Sequence, residues 1–375
     1  MGRYGTRNAE GLQKDPVKQI AIIGTVGVPA NYGGFETLVE NIIGRNNLQE
    51  IKYVVYCSSI SYSRKRKTYK GADLQYIPIK ANGWQSIFYD SLSMLHAIFS
   101  KTDVLLILGV SGCFILPFIR MISRKKIIVN IDGLEHRRGK WKPSIRKFLK
   151  QSEKIAIRYA HVIVTDNKAI QDYVKTEYGQ DSALIAYGGD HVQVSPDSDE
   201  TPILGKYRLS DGDYSFSLCR IEPENNVHVT LEAFARTGAP LVMIGNWRNS
   251  DYGKRLLSQF SAYPNIRMLA PIYDLPILNA LHNHCKFYIH GHSAGGTNPS
   301  LVEAMFFGKP ILAFDVIYNR ETTANLAHYY KDAEQLEKLL CLPYDLFAQN
   351  ALSMVQIAKQ RYLWSIISKQ YEKLY

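Results

Sequence analysis

At 375 residues and 46% hydrophobic content, the chain has room for two globular domains with substantial cores. Its five cysteines, Cys57, Cys113, Cys219, Cys285 and Cys341, are odd in number and form no C-x-x-C pair, which argues against a disulfide framework or a zinc site and for a reducing compartment. The net charge of +11 is uneven: residues 1–195 hold 28 Lys and Arg against 16 Asp and Glu, while residues 196–375 hold 17 against 18.

Residues 1–17 are polar, lack the apolar stretch of a signal peptide, and read as a disordered tail. From Lys18 the chain alternates strands and helices. A continuous apolar strand, Lys18–Ile23, ends at Gly24, and the loop GTVGVPANYGG leads into a helix over Phe35–Ile43. Strands follow at Ile51–Cys57, Leu74–Ile79, Val104–Leu108, Lys126–Ile131 and His161–Thr165. Apolar runs of this kind, separated by helices, predict a parallel sheet buried on both faces. The uncharged run Val104–Ile119 is broken by Gly109, Gly112 and Pro117. It is shorter than the about 20 apolar residues of a membrane span, so it reads as a buried strand and the start of a helix.

The polar, proline-bounded segment Pro196–Pro202 reads as a linker. A second α/β set follows: strand Tyr214–Cys219, helix Val227–Ala235, strands Pro240–Ile244 and Ile266–Met268, helix Asp274–Asn283, strand Phe287–His290, a glycine-rich loop, a helix from Pro299, and strand Ile311–Phe314. The expected fold class is α/β: two Rossmann-like, doubly wound domains, 18–195 and 196–355, facing a central cleft. Residues 356–375 would form a C-terminal helix packing back on the first domain. Ligands of such folds sit in the crevice at the carboxyl ends of the strands.

Within the basic half, Arg120–Arg158 carries 13 basic and 3 acidic residues. Such a cluster attracts an anionic partner: nucleic acid, a membrane surface or a phosphorylated substrate. Trp84–Phe99 has apolar residues at helical spacing, and Cys113–Lys126 sets FILPFIRMI beside RKK. Apolar patches beside lysine and arginine suit docking on an anionic membrane surface; packing inside the domain is the alternative for both segments.

The stretch HGHSAGGTNPSLVEAMFFGKP, His290–Pro310, concentrates the chemistry. A loop of small residues at a helix N-terminus brings backbone N–H groups to an anion. Gly295 and Gly296 permit close approach, Thr297 and Asn298 add polar contacts, and Glu303, unsuited to phosphate, is placed to accept sugar hydroxyls. The pattern suggests a nucleotide-sugar site, with diphosphate on the loop and ribose on Glu303; an ordinary loop and cap, with Glu303 a solvated helix residue, is the equal alternative from the loop alone. The first loop, with Gly33 and Gly34 opening a helix, is neither a P-loop nor a G-x-G-x-x-G fingerprint. The D-x-D pairs Asp197/Asp199 and Asp211/Asp213 fall in linker and turn sequence and read as solvated turn residues.

Both glycine loops and their spacing resemble the retaining GT-B glycosyltransferases of family 4. The segments GTVGVPANYGGFETLVE, NIDGLEHRRGKWKPS, CRIEPENNVHVTLEAF and HGHSAGGTNPSLVEAM together resemble a narrower group, the bacterial rhamnosyltransferases of capsule and exopolysaccharide assembly. The resemblance implies that Gly33 and Gly34 face the donor diphosphate, that Arg220 neutralises it, and that Glu303 binds the nucleotide ribose. Where the family has a lysine five residues after the arginine, this chain has Asn225; where it has a first glutamate, this chain has Gly295. Contacts to the donor sugar then fall to His290, His292 or Asn298. Asp132 occupies roughly the family's place for a histidine or aspartate near the donor sugar, with Glu135 and His136 nearby on the acceptor side; helix capping is the equal alternative for Asp132.

The resemblance further implies dTDP-rhamnose as donor, with no other cofactor and no metal. A lipid-diphosphate-linked saccharide as acceptor, at the inner face of the cell membrane, would explain both the basic charge and the apolar patches, and no nucleic-acid partner is expected. A UDP-hexose donor, a basic nucleic-acid-binding protein without RRM, helix-turn-helix or zinc signature, and a catalytically silent relative are the competing readings.

Overall fold

The computed structural model describes residues 17–30, 33–46, 50–131, 133–137, 141–193 and 199–375. Two sheets organise them. The first comprises β1 (Lys18–Ile23), β2 (Ile51–Ser58), β3 (Thr68–Tyr69), β4 (Ala72–Ile77), β5 (Val104–Leu108), β6 (Lys126–Asn130), β7 (Val162–Thr165) and β8 (Ala183–Leu184). Their spatial order is β3-β4-β2-β1-β5-β6-β7-β8, parallel throughout except for the β3–β4 pair. β1 lies at the centre, with Ile22 opposite Val55 on one side and Leu106 on the other. Helices cover both faces, so Ile20–Ile23 and Val104–Leu108 are buried from end to end.

The second sheet comprises β9 (Ser215–Leu218), β10 (Leu241–Ile244), β11 (Ile266–Leu269), β12 (Phe287–His290), β13 (Ile311–Phe314) and β14 (His328–Tyr330), in the order β11-β10-β9-β12-β13-β14. Both sheets reverse their winding once, at β1/β5 and at β9/β12. Loops after the two strands at such a switch point leave in opposite directions and open a crevice between them. The switch point therefore brings Arg220, just beyond β9, beside the loop that leaves β12 at Gly291. Their separation in sequence hides this proximity.

The strands anticipated from apolar runs match to within a few residues at their ends. The short edge strands β3, β8 and β14 carry too few residues for a pattern to register. Only the last two residues of the expected linker Pro196–Pro202 depart from that reading. A helix spans Thr201–Lys206 with Pro202 in its first turn, where a proline's fixed φ and missing N–H favour helix initiation. Residues 194–198 lie outside the described residues, as do residues 1–16.

Two helices close the chain and divide between the domains. Ala348–Arg361 packs Met354, Ile357 and Ala358 into the second-domain core with Met305 and Ile311. Trp364–Glu372 packs Trp364, Ile367 and Tyr371 into the first-domain core with Leu38 and Ile42. The crossing back falls at Tyr362–Leu363, later than residue 356. It is pinned on both sides: the Tyr362 hydroxyl donates to the Thr322 carbonyl (2.9 Å), and the Gly189 N–H donates to the Tyr362 carbonyl (2.9 Å). Among the described residues no helix is long and apolar enough to cross a membrane.

Candidate active site at the domain junction

Arg220 leaves the end of β9 half-buried, and among the described residues its guanidinium meets no carboxylate. An unpaired cation at the switch point is available to an anionic ligand. The backbone around it is fixed by Asn225, whose amide donates to the Arg220 carbonyl (2.7 Å) while its oxygen faces His292 Nδ1 (2.7 Å). Asn225 is 4% exposed. The side chain that stands where family 4 has a lysine thus clamps the loop after β9 to the loop after β12. Asn226 adds a second clamp, donating to the Gly291 carbonyl (2.8 Å). A Cβ on Gly291 would run into the Asn225 carbonyl, so the close approach requires glycine there.

At the end of β12, His290 is buried, and its Nε2 has no hydrogen-bond partner among the described residues. Burial pushes its pKa down to about 3, so the ring is neutral at physiological pH. Gly295 and Gly296 follow. Gly296 takes φ +91°, and a Cβ there would lie 2.7 Å from the Asp166 carboxylate of the first domain. The Thr297 N–H donates to that carboxylate (3.0 Å), and its hydroxyl donates to the Asp166 carbonyl. In this state one N–H of the glycine-rich loop is therefore held by a carboxylate rather than facing open solvent. The Asn298 side-chain oxygen caps the helix Pro299–Met305, accepting from the Ser300 N–H (3.0 Å) and hydroxyl (2.8 Å).

Glu303 projects from that helix into a poorly solvated position, and desolvation raises its pKa to about 8. Its Oε1 lies 3.5 Å from Nε2 of His191, a residue of the segment joining the domains. Across the cleft, Gly34 abuts Pro299: a Cβ on Gly34 would touch the proline ring at 3.3 Å. The two glycine loops thus meet. Gly33 takes φ +131° as N-cap, with the Glu36 carboxylate folded over it. Glu36 accepts from the Thr25 hydroxyl (3.0 Å) and the Val26 N–H (2.8 Å), which ties the first loop together; burial raises its pKa against the lowering effect of these donors.

Asp132 lies outside the described residues. Glu135 accepts from the Trp141 indole (2.8 Å), and His136 Nδ1 is 2.9 Å from the buried Glu153 carboxylate, which also accepts from the Tyr173 and Tyr178 hydroxyls. Both side chains are thus engaged by partners within the first domain. Between them and the glycine-rich loop lies a cavity of 210 Å³, lined by Gly133, Leu134 and Arg137 on one side and Glu224, Ser293 and Gly295 on the other. Asp199 accepts from the Thr201 N–H (3.0 Å) and Asp211 pairs with His284 (3.0 Å), while Asp197 lies outside the described residues.

Sequence reasoning missed Asp166, His191, Glu36 and Arg137. Only Glu36 left a local signal, an acid at the third helical position after the paired glycines.

Residues 17–190 match the family model described as a domain of unknown function, DUF1972, and residues 203–339 match glycosyl transferases group 1. No curated protein matches the chain as a sequence relative. Among solved structures, sucrose-phosphate synthase from Thermosynechococcus elongatus superposes with a TM-score of 0.77 at 12% identity, covering 96% of this chain and 98% of that one. HepE from Anabaena, in complex with UDP-glucose, gives 0.73 at 14% identity, covering 95% and 98%. The catalytic domain of starch synthase IV from Arabidopsis thaliana, bound to ADP and acarbose, gives 0.67 at 12% identity, covering 96% and 99%. At these identities the structures establish the shared two-domain fold; the group 1 match bears on activity. Residues 203–339 match the glycosyl transferases group 1 model, and the two-sheet architecture around them is that of the GT-B fold.

Proposed function

We propose that the protein moves L-rhamnose from dTDP-rhamnose, with retention of configuration, onto a lipid-diphosphate-linked saccharide during assembly of a cell-surface polysaccharide. The observation that carries the donor reading is the placement of Arg220, whose guanidinium meets no carboxylate among the described residues, just beyond β9, and of the desolvated Glu303 on the helix that follows β12, the two strands of one switch point. Nucleotides in the complexes of HepE (UDP-glucose) and starch synthase IV (ADP) support a nucleotide-sugar donor for this fold. In this reading Arg220 faces the diphosphate and Glu303 accepts from the ribose.

Charge builds on the phosphate oxygen as the glycosidic bond breaks, so a fixed guanidinium favours the transition state over the ground state. The departing phosphate takes the proton of the acceptor hydroxyl as that hydroxyl bonds to the anomeric carbon on the same face. No protein nucleophile is required. Arg220 supplies the counter-charge, so a metal is unnecessary. The cavity shared by Arg137 and Gly295 is where acceptor and donor sugar would meet.

Membrane docking is supported by two outward stripes on adjoining helices of one layer. Trp84, Phe88 and Leu92 are exposed along one, and Phe118 (53%), Met121 (83%) and Ile122 along the other, with exposed Arg120 and Arg124 beside them. Both helices bury their opposite faces in the same core, through Tyr89 and Met94 and through Leu116 and Ile119.

A UDP-hexose donor is the second reading, favoured by the UDP-glucose complex of HepE. Turnover with dTDP-rhamnose and UDP-glucose on a lipid-diphosphate saccharide, with and without EDTA, tests both. The expected result is product from dTDP-rhamnose that survives EDTA, with kcat lowered about 10²- to 10³-fold in Arg220→Ala. Product from UDP-glucose alone would reassign the donor, and loss with EDTA would overturn the metal-free mechanism.

A further inference from the structure

The contact between Glu303 and His191 joins three parts of the chain that are far apart in sequence. His191 belongs to the turn Asp190–Val192, which follows β8 and leads toward the second domain. Its Nδ1 accepts from the indole N–H of Trp364 (2.9 Å). Indole nitrogen only donates, so Nδ1 carries no proton and the ring's hydrogen sits on Nε2. Nε2 is the atom 3.5 Å from Glu303 Oε1, which sets its N–H at the edge of hydrogen-bond reach of the carboxylate.

Trp364 cannot drift. It is 0% exposed in the first-domain core, and a Cβ on Gly188 would collide with its ring. Its backbone N–H donates to Asp190 Oδ1 (2.7 Å), and the other oxygen of Asp190 faces Arg45 (3.4 Å). The neighbouring Gly189 lies against Val302 and Phe306 of the donor-side helix and its end, where a Cβ would come within 2.9 Å of each. The joining segment is thus wedged between the C-terminal crossing and the element that bears Glu303.

We propose that His191 is a positioning residue for donor binding: its Nε2–H, fixed by the Trp364 indole, holds one oxygen of Glu303 so that the remaining lone pairs face the free hydroxyls of the nucleotide's pentose, the 3′-hydroxyl alone in dTDP. This rests on the reading of Glu303 as the ribose-binding residue. The grip on the nucleotide then includes a group from outside the second domain, set in place by the returning C-terminal helix. His191 acts as a neutral donor, since burial lowers its pKa to about 4. The 3.5 Å separation in the unliganded state is expected to close to a hydrogen bond when ligand fixes the carboxylate.

Calorimetric titration tests the assignment, using dTDP or UDP, whichever binds more tightly, and the same nucleotide stripped of its ribose hydroxyls. His191→Leu is expected to weaken the hydroxylated nucleotide about tenfold, the scale of one hydrogen bond to a charged group, and to leave the stripped nucleotide unchanged. His191→Gln, which returns an N–H near the Nε2 position, should recover most of the loss, with melting temperatures of both variants confirming the fold. Equal weakening of both nucleotides would reduce His191 to packing, and no weakening of either would also overturn the assignment. Glu303→Ala run in parallel separates the two levels. If it retains the preference for the hydroxylated nucleotide, or if neither nucleotide binds the native protein, the ribose reading fails and takes this proposal with it. If Glu303→Ala loses the preference while His191→Leu keeps it, the positioning proposal alone fails.

Discussion

A carboxyl group held near pKa 8 at the end of a cleft is costly to keep charged, and Glu303 is in that state before any ligand arrives. The folded protein binds its proton more tightly than the unfolded chain, whose glutamate titrates near 4.5. The stability associated with this proton is therefore fully present below about pH 4.5 and is lost as pH rises through about 8. Glu303→Gln removes the titration, so its melting temperature should gain on the native protein's between those pH values. Parallel melting curves for the two proteins across that window would contradict the desolvated environment. Nucleotide binding turns the same effect round: hydroxyl donors favour the carboxylate, so binding below pH 8 should release a proton in the native protein and not in Glu303→Gln.

At the scale of elements, the clamp between the loops after β9 and β12 decides how the site is held. Asn225 spans them with both ends of its amide, and a family-type lysine in its place would bury an ammonium and break both contacts. Asn225→Lys is expected to destabilise the fold by about 1–3 kcal/mol and weaken nucleotide binding; a neutral or tighter-binding Asn225→Lys would show that this side chain faces the donor instead. The sheets, the helix starts and the two glycine loops were legible because each rests on residues adjacent in sequence: an apolar run, a glycine at positive φ, a cap. The places of Arg220 after β9 and of Glu303 on the helix after β12 were legible through the motifs that surround them. Asp166 on Thr297, Asn225 on His292 and His191 between Glu303 and Trp364 were not, because their partners lie from 67 to 173 residues away. Nothing in the local pattern of D-N-K or D-H-V distinguishes such residues from ordinary caps. Pro202 misled for a related reason: a proline that begins a helix and one that ends a linker look alike until the following turn is seen.

At the scale of the molecule, the chain crosses between its domains twice, near His191 and again at Tyr362–Leu363, and the crossings touch through Gly189 and Tyr362. Any relative motion of the domains must pass through this joint, which also bears the group aimed at Glu303. The positive charge is gathered on the first domain, as expected if the acceptor side faces an anionic surface. Flotation with vesicles rich in anionic lipid should recover the native protein at low salt, release it at high salt, and recover less of a Phe118→Ser/Met121→Ser variant; equal recovery with neutral vesicles would remove the electrostatic part of this reading. The most direct test of the central claim is titration of the protein with dTDP, UDP and GDP, repeated with Arg220→Ala and Glu303→Ala. Preferential binding of dTDP, lost in both variants, is the expected result and would seat the donor at the β9/β12 crevice. Preference for UDP would keep the site and change the sugar nucleotide, whereas binding unaffected by either variant, or no binding of any of the three, would contradict the donor site itself.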